Sequence, residues 1–187
     1  MLSDEMLARA VARGDELAMT ELMARYERRL AQFVRSSLAD GAELTEDVLQ
    51  EVFLQVHRSA SRFAGQSSFK TWLYGLARNV CRYESRKLKR QPAWLAENDE
   101  ALRDVPAEAL GPLDTMERRE VLDAVRAAVD ALPPPYRLVL MLRDWEDLSY
   151  AEIGRALALP ITTVRSRLHD ARVLLSEQLG GSFRSCQ

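Results

Sequence analysis

A segment near the middle of the chain, SSFKTWLYGLARNVCRYESRKLKR at residues 67–90, changes from aromatic to basic side chains along its length. Its basic residues recur at helical spacing and form one ridge, made of Arg78, Arg82, Arg86 and Lys89. Such a ridge can neutralise phosphates, and aromatic rings beside it can stack on bases that have left a duplex. The spacing directs Phe69 and Trp72 at least partly toward a core. Tyr74 and Asn79 point elsewhere, which makes them better candidates for contact with nucleic acid.

A second candidate site lies in the segment LSYAEIGRALALPITTVRSRLHDAR, residues 148–172. Ser149 and Glu152 form a capping box at the start of a short helix. A tight turn follows at residues 158–160, and a longer helix is predicted over about 162–178. Two helices joined by a turn of three to four residues are the helix-turn-helix unit, whose second helix lies in the DNA major groove.

Five side chains of that second helix face outward once its apolar stripe faces the core, and they are Thr163, Arg165, Ser166, His169 and Arg172. Arg165 lies near the helix start and can bind a guanine edge with two hydrogen bonds. Thr163 and the free backbone N–H groups suit a phosphate. A plain helical hairpin with a solvated basic face is the alternative. The capping box, the small Gly154 and the outward Arg165 favour DNA binding.

The segment 40–51 has no basic residue and five acidic ones, namely Asp40, Glu43, Glu46, Asp47 and Glu51. An acidic helix surface cannot hold DNA, so it either faces solvent or meets a basic protein partner. From charge alone, a solvated face is the favoured interpretation.

Helical periodicity dominates the elements that must position these residues, and no segment alternates in the way a strand does. The first long helix is predicted over 16–38 with Leu17 and Leu22 in its apolar stripe, and Thr45 is predicted to cap the next helix. Residues 63–68 read as a loop, and another long helix covers 69–89. Further helices are predicted from about Arg118 and over 137–143, with a proline run between them.

The stretch 91–117 differs from its surroundings because it holds seven acidic residues against one basic residue, Arg103, for a net charge of −6. Prolines and a glycine punctuate it, as is typical of a linker. The predicted fold is therefore all-α. Two small helical domains, residues 1–90 and 118–187, are joined by an acidic linker at 91–117, and the second is a helix-turn-helix domain.

The totals exclude several classes of protein. The chain has 187 residues and a net charge of −2, so it is not a globally basic nucleic-acid binder. The start of the chain has no apolar signal core, and no apolar run has transmembrane length. A cytoplasmic protein without membrane insertion is expected.

The chemistry of an enzyme is not expected either. His57 and His169 stand apart, and the sequence has no nucleophile–base pair or metal-ligand cluster, so neither a catalytic residue nor a metal or cofactor is predicted. Cys81 and Cys186 are in unrelated contexts and make neither a metal site nor an expected disulfide. Cys81 is predicted to be a buried structural thiol rather than a redox sensor, and Cys186 to be exposed.

Three motifs, taken in order, carry a resemblance to a known family: TEDVLQEVFLQVHR at 45–58, SSFKTWLYGLARN at 67–79 and the helix-turn-helix segment at 148–172. With these motifs the chain resembles a bacterial RNA polymerase sigma factor of the extracytoplasmic-function group. The match covers nearly the whole chain. The first domain is similar to sigma region 2 and the second to sigma region 4.

The resemblance implies a protein that binds core RNA polymerase, recognises the −10 and −35 promoter elements and opens the DNA. It implies docking on the polymerase β′ clamp helices by Asp47, Gln50, Glu51 and Phe53, which replaces the solvated-face interpretation. It implies −10 recognition and melting by Phe63, Gln66, Ser67, Phe69, Trp72, Tyr74, Arg78, Asn79 and Arg82. At the −35 element it implies base contacts by Arg165, Ser166 and His169, and backbone contacts by Thr163 and Arg172.

Further partners also follow from the resemblance alone. Region 4 of the family binds the polymerase β flap, and the apolar segment 138–142 is expected to contribute to that contact. The acidic linker resembles the segment that runs toward the polymerase active-site and RNA-exit channels. An anti-sigma factor is expected to cover the polymerase-binding surfaces of both domains.

The chain departs from the family pattern in the helix-turn-helix. Ala158 stands where the family usually has glycine, and a left-handed conformation there would cost alanine roughly 1 kcal/mol, so a slightly different turn is expected. Asp170 stands where a basic residue is frequent, which predicts weaker phosphate contact at that end. The family varies at His169 and in the loop before Phe69, so neither promoter sequence can be transferred.

Two other functions are consistent with parts of the sequence. An ordinary helix-turn-helix regulator would bind an operator without polymerase, but it gives no role to the acidic helix or to the aromatic and basic segment. A polymerase-binding decoy would make no specific DNA contacts, which Arg165 and Ser166 argue against.

Overall fold

The computed structural model describes residues 2–38, 42–90 and 116–184, and over these ranges the chain is all-helical, as predicted. Residues 91–115 of the predicted linker, Asp40 and Cys186 lie outside the described residues. The described chain contains eight α-helices: α1 Asp4–Val11, α2 Glu16–Ser37, α3 Thr45–Ser59, α4 Phe69–Arg90, α5 Met116–Asp130, α6 Pro134–Asp144, α7 Tyr150–Leu157 and α8 Ile161–Arg184.

Helices α1 and α2 form an antiparallel start to the first half of the molecule. The side chain of Ser3 accepts the Met6 N–H at the start of α1, and that of Asp15 accepts the Ala18 N–H at the start of α2. Helix α1 was not predicted, although a serine followed by two acidic residues is typical of a helix start. An ion pair of 2.7 Å joins Arg25 to Asp4 across the two helices.

Two details predicted for α2 and α3 are wrong. Leu17 is 82% exposed. It lies five positions before Leu22, too far off the period of 3.6 to share the buried face. Helix α3 begins at Thr45, but its N-cap residue is Leu44, and no side chain makes the capping hydrogen bond.

Helix α4 lies at the centre of the molecule and contacts α1, α2, α3 and α7. Phe69, Leu73 and Ala77 of α4 are fully buried, and the ring of Phe69 packs edge-on against Tyr26 of α2. Residues 63–68, which precede α4, are not helical, as predicted. Because neighbours surround α4 on several sides, its buried arc is wider than the single stripe of an amphipathic surface helix.

The second half of the molecule builds the helix-turn-helix from α7 and α8, with α6 packed against both. Pro134 stands at the start of α6, where its fixed φ and missing N–H are tolerated. Ser149 and Glu152 form the predicted capping box at the start of α7. The C-cap residue of α7 is Ala158, whose φ of 47° and ψ of 55° are left-handed.

The turn after α7 therefore keeps the left-handed geometry despite its alanine, and the expectation of a different turn is not met. Gly154 explains how tightly the chain folds back there. A Cβ on Gly154 would lie 2.9 Å from the carbonyl oxygen of Leu159, so a side chain at this position would force the backbone to shift.

The two halves share one continuous hydrophobic cluster, and α4 packs against α7 along the contact between them. Small residues allow a close approach, since a Cβ on Gly75 would meet the carbonyl oxygen of Ala156 at 3.9 Å. The second half therefore covers part of the helix that carries the aromatic and basic segment.

Candidate nucleic-acid interface

Three arginines of the basic ridge of α4 line a groove between the two halves. Arg78, Arg82 and Arg86 from α4 meet Arg167 from α8 around a cavity of about 390 Å³ with prolines and leucines in its lining. None of these four arginines forms an ion pair within the described residues. Burial, together with the charge of Arg82, lowers the pKa of Arg78. The groove is thus a concentration of positive charge without a carboxylate in its wall, which favours binding of a polyanion.

An aromatic cluster supports the loop that precedes α4. The ring of Phe63 packs edge-on against Phe69, with centroids 5.9 Å apart, and at a tilt of 45° against Trp72, with centroids 5.2 Å apart. Phe69 is buried as predicted, and Trp72 is half-buried against the core. Gln66 is exposed at the loop, Ser67 is half-buried, and Gly65 has a φ of +69° that favours glycine. The loop thus presents polar side chains above an aromatic base.

The orientation predicted for Tyr74 is wrong. Tyr74 is 1% exposed, and its ring packs edge-on against Phe33 at a centroid distance of 5.0 Å. Burial raises its pKa, and the nearby charge of Glu146 adds to the shift. Phe33 from the first half and Glu146 from the second half both lie close to Tyr74. The helical periodicity of α4 alone does not predict this second buried face. In this arrangement Tyr74 does not reach a bound strand.

The start of α8 presents the predicted recognition residues to solvent. Val164, Leu168 and Ala171 are buried, which leaves outward the exposed side chains of Arg165, Ser166 and His169, with Thr163 half-buried beside them. Arg172 is also exposed, but its guanidinium lies 3.2 Å from a carboxylate oxygen of Asp144. Arg165 has no hydrogen bond or ion pair among the described residues, so it is available for a base or phosphate.

Helix α3 carries an exposed acidic face. Asp47 and Gln50 are exposed, and Glu51 is half-buried, accepting a hydrogen bond of 2.7 Å from Gln55. Phe53 is buried and therefore contributes by packing rather than by direct contact. Leu54 was not predicted, yet it is 42% exposed. It follows Asp47 by seven positions and Gln50 by four, so the helical period places it on their face.

Asn79 does not line the basic groove. It lines a second groove of about 870 Å³ between α3 and α4, together with Asp47 and Glu51. The exposed Tyr83 stands on the same wall of α4. The structure thus brings Asn79 to the residues predicted for protein docking, although the Arg78 guanidinium donates a 3.3 Å hydrogen bond to its side-chain oxygen.

The remaining predictions concern the apolar segment 138–142, Cys81, metal binding and membrane insertion. Val139, Leu140, Met141 and Leu142 of α6 are buried, so of the segment 138–142 only the half-buried Leu138 remains in a groove wall. Cys81 is buried as predicted, and burial raises the pKa of its thiol to about 12. Over the described ranges no group of histidine, cysteine and acidic side chains could hold a metal ion. Nor does any described helix have the length and apolar content to cross a membrane.

Comparisons with known proteins agree with the motifs. The family description "Sigma-70 region 2" matches residues 22–91, and "Sigma-70, region 4" matches residues 122–175. The RNA polymerase sigma-H factor of Pseudomonas aeruginosa is 32% identical over 185 residues, which cover 94% of this chain and 93% of that protein. The ECF RNA polymerase sigma-E factor of Escherichia coli is 33% identical over 187 residues, with 95% of both chains covered.

A solved structure shares the fold. The sigma factor RpoE from Bartonella quintana, in complex with the anti-sigma factor NepR, aligns with a TM-score of 0.63 at 22% identity, covering 86% of this chain and 96% of that one. The likeness in sequence spans nearly the full length of the relatives and includes both sigma regions. The chain therefore belongs to the sigma-70 family, as a sigma factor of the extracytoplasmic-function group, which directs promoter-specific initiation of transcription.

Proposed function

We propose that this chain meets the transcription machinery in the cytoplasm through three separate surfaces and has no catalytic activity of its own. These surfaces are the start of α8, the loop and basic face of α4, and the acidic face of α3. We assign them to a first domain at 1–90 and a second at 118–187, joined by the acidic linker. The observation that carries the proposal is the exposed, unpaired Arg165 at the start of a capped helix-turn-helix.

The α8 surface is proposed to read the −35 element. Arg165, Ser166 and His169 are exposed on consecutive turns of one helix face, which fits insertion into a major groove. Thr163 and Arg172 flank them and suit the phosphate backbone. Since Arg172 is already paired with Asp144, its contribution should be smaller than that of Arg165.

The α4 surface is proposed to read and melt the −10 element. Gln66 and Ser67 are available in the loop for an unstacked base, and Phe63, Phe69 and Trp72 support that loop from below. Arg78 and Arg82 can hold the strand by its phosphates. Base capture outside the stack couples recognition to strand opening.

The α3 surface is proposed to dock on the β′ clamp helices of core RNA polymerase. Its acidic Asp47 and Glu51 line a groove together with apolar residues, and the polar Gln50 and the exposed Leu54 lie beside them on α3. Acidic charge around an apolar centre suits a basic protein partner better than DNA. We also propose that the second half contacts the β flap, and that an anti-sigma factor regulates the chain, as the complex of the Bartonella relative suggests.

Transcription in vitro tests the proposal directly. Purified protein is added to bacterial core RNA polymerase on a pool of random promoter-like templates, and the transcripts are sequenced. Initiation from a shared pair of elements is the expected result. Tight binding to core polymerase without initiation would contradict the promoter role, and DNA selection without polymerase would point to an ordinary regulator.

Charge reversal separates docking from DNA recognition. Asp47→Lys with Glu51→Lys should abolish most binding to core polymerase, because both charges lie at the proposed contact. The matched control is Glu16→Lys with Glu27→Lys, which reverses the same charge at exposed positions of α2. Binding is measured by competition with a labelled sigma factor for core polymerase. Equal losses in both variants would rule out α3 as the docking helix.

A further inference from the structure

The start of α4 is covered by the second half through polar contacts. The hydroxyl oxygens of Ser68 and Thr71 lie 3.1 and 3.3 Å from the same carboxylate oxygen, Oε1 of Glu152, and 2.8 Å from each other. The two hydroxyl protons are therefore shared among these three oxygens. The other oxygen of Glu152 stays in its own capping box, where it accepts the N–H and the hydroxyl of Ser149. The Ser149 hydrogen bonds hold the pKa of Glu152 below its usual value, so the group is a carboxylate at neutral pH.

A second carboxylate of the same half also contacts the start of α4. Glu146 is only 4% exposed, and its Oε2 lies 3.6 Å from Lys70 Nζ and 3.7 Å from a guanidinium nitrogen of Arg29. Both contacts are longer than a hydrogen bond. Lys70 Nζ also donates a hydrogen bond of 2.9 Å to the Glu146 carbonyl oxygen. The side chain of Glu146 is also hydrogen-bonded to Tyr74, but its Oε2 has no hydrogen-bond partner among the described residues. A buried carboxylate oxygen without a hydrogen bond carries a desolvation cost, so its position calls for an explanation beyond packing.

The groups that surround these carboxylates have the composition of an anion-binding site. A pair of hydroxyl groups, a lysine and the N-terminal end of a long helix converge there, and a helix N-terminus favours negative charge. Glu5 occupies part of the same end by accepting the Phe69 N–H at 3.2 Å. The same donors would serve a phosphate group, whose oxygens accept such hydrogen bonds at least as well as a carboxylate.

We propose that Glu146 and Glu152 form a releasable latch that fills an anion-binding site on Ser68, Lys70 and Thr71, a site that a phosphate of the promoter strand takes when the two halves separate. This inference depends on the proposed role of α4 in −10 recognition. The latch and the DNA strand compete for the same donors. The closed arrangement is therefore a resting state with its −10 site occupied, while the recognition residues of α8 remain exposed.

Opening can be measured without DNA. Spin labels at His57→Cys and Glu177→Cys, both exposed positions in different halves, report the distance between the halves in the full chain with Cys186→Ser. Glu146→Gln with Glu152→Gln should shift the distance distribution to longer values. Glutamine still supports a capping box, so helix α7 remains formed. An unchanged distribution would overturn the latch.

Binding tests the anion site itself. Opening by charge removal should tighten binding of a short single-stranded oligonucleotide by roughly tenfold, because a larger fraction of molecules is competent to bind. Gly75→Leu should open the halves and tighten binding in the same way, since it wedges α4 from α7 without touching either carboxylate. Lys70→Ala should open the halves but leave binding no tighter, because it removes a donor that the phosphate needs.

The outcomes separate this inference from the proposed function. If charge removal and the wedge both open the halves but neither tightens oligonucleotide binding, the anion site is not a DNA site and the inference fails. It also fails if Lys70→Ala binds as tightly as the glutamine variant. Promoter-specific transcription by the wild-type chain in either case would leave the proposed function intact, and its absence would overturn that function as well.

Discussion

The helices α4 and α8 both begin at a surface proposed to meet DNA, yet their starts are built differently. At the start of α4, Phe69 and Thr71 are buried, and carboxylates of the other half occupy the polar donors. At the start of α8, Arg165 and Ser166 are exposed, and the core contacts lie on the opposite face. A substitution at α4 therefore changes folding and binding together, whereas one at α8 changes binding alone.

The largest effect is expected where the α4 surface depends on its aromatic base. Phe69→Ala should lower the free energy of unfolding by about 3–5 kcal/mol, because it removes a fully buried ring from between Tyr26, Phe63 and Trp72. Urea unfolding followed by circular dichroism measures the loss. Gln66→Ala in the adjacent loop is the control and should leave stability unchanged. A stable Phe69→Ala variant would remove the contrast between the two surfaces.

The α8 surface should respond in binding instead of stability. Arg165→Ala should weaken binding of the holoenzyme to a −35 element by about 1–3 kcal/mol, because the guanidinium can make two hydrogen bonds to one base. Its unfolding curve and its affinity for core polymerase should not change. Arg155→Ala, an equally exposed arginine on α7, serves as the matched control in a fluorescence anisotropy titration. Loss of polymerase binding with retained promoter selectivity would reverse the assignment of the sites.

A substitution in the turn between α7 and α8 should increase the stability of the protein. Ala158→Gly should raise the free energy of unfolding by about 1 kcal/mol, since glycine adopts the left-handed conformation without steric cost. Ala151→Gly, at an exposed position in the first turn of α7, should lower it instead, because glycine is less favourable than alanine in a helix. Thermal unfolding of the two variants compares them directly. A loss of stability in both variants would mean that the strain at residue 158 is absent.

Local sequence signals account for the parts of the fold that depend on neighbours along the chain. The capping box of Ser149 and Glu152, the helix from Phe69 and the buried thiol of Cys81 were all predictable from spacing and residue type. The same signals do not reveal that Glu152 also holds Ser68, because that contact joins residues 84 positions apart. Periodicity identifies one buried face, so the second covered face of α4, with Tyr74, was not predictable.

The acidic face of α3 has another feature that sequence patterns do not predict. Leu54 interrupts an acidic face, and Asn79 faces the groove beside it, yet only the assembled helices α3 and α4 bring the two sides of that groove together. The family resemblance supplied the function of the face, whereas charge alone favoured solvent. The structure therefore adds the exposed Leu54 to the proposed docking surface on α3, which the motif had only partly defined.

The smallest effect is expected at Leu17, whose exposed side chain contrasts with the buried side chain of Leu22 on the same helix. Leu17→Ser should change the free energy of unfolding by no more than about 0.5 kcal/mol, because the side chain is 82% exposed in the first turn of α2. Leu22→Ala on the buried face of the same helix should cost about 2–5 kcal/mol. Urea unfolding of both variants gives the comparison. A large loss for Leu17→Ser would mean that this leucine is covered in solution, and the register of α2 against its neighbours would then need revision.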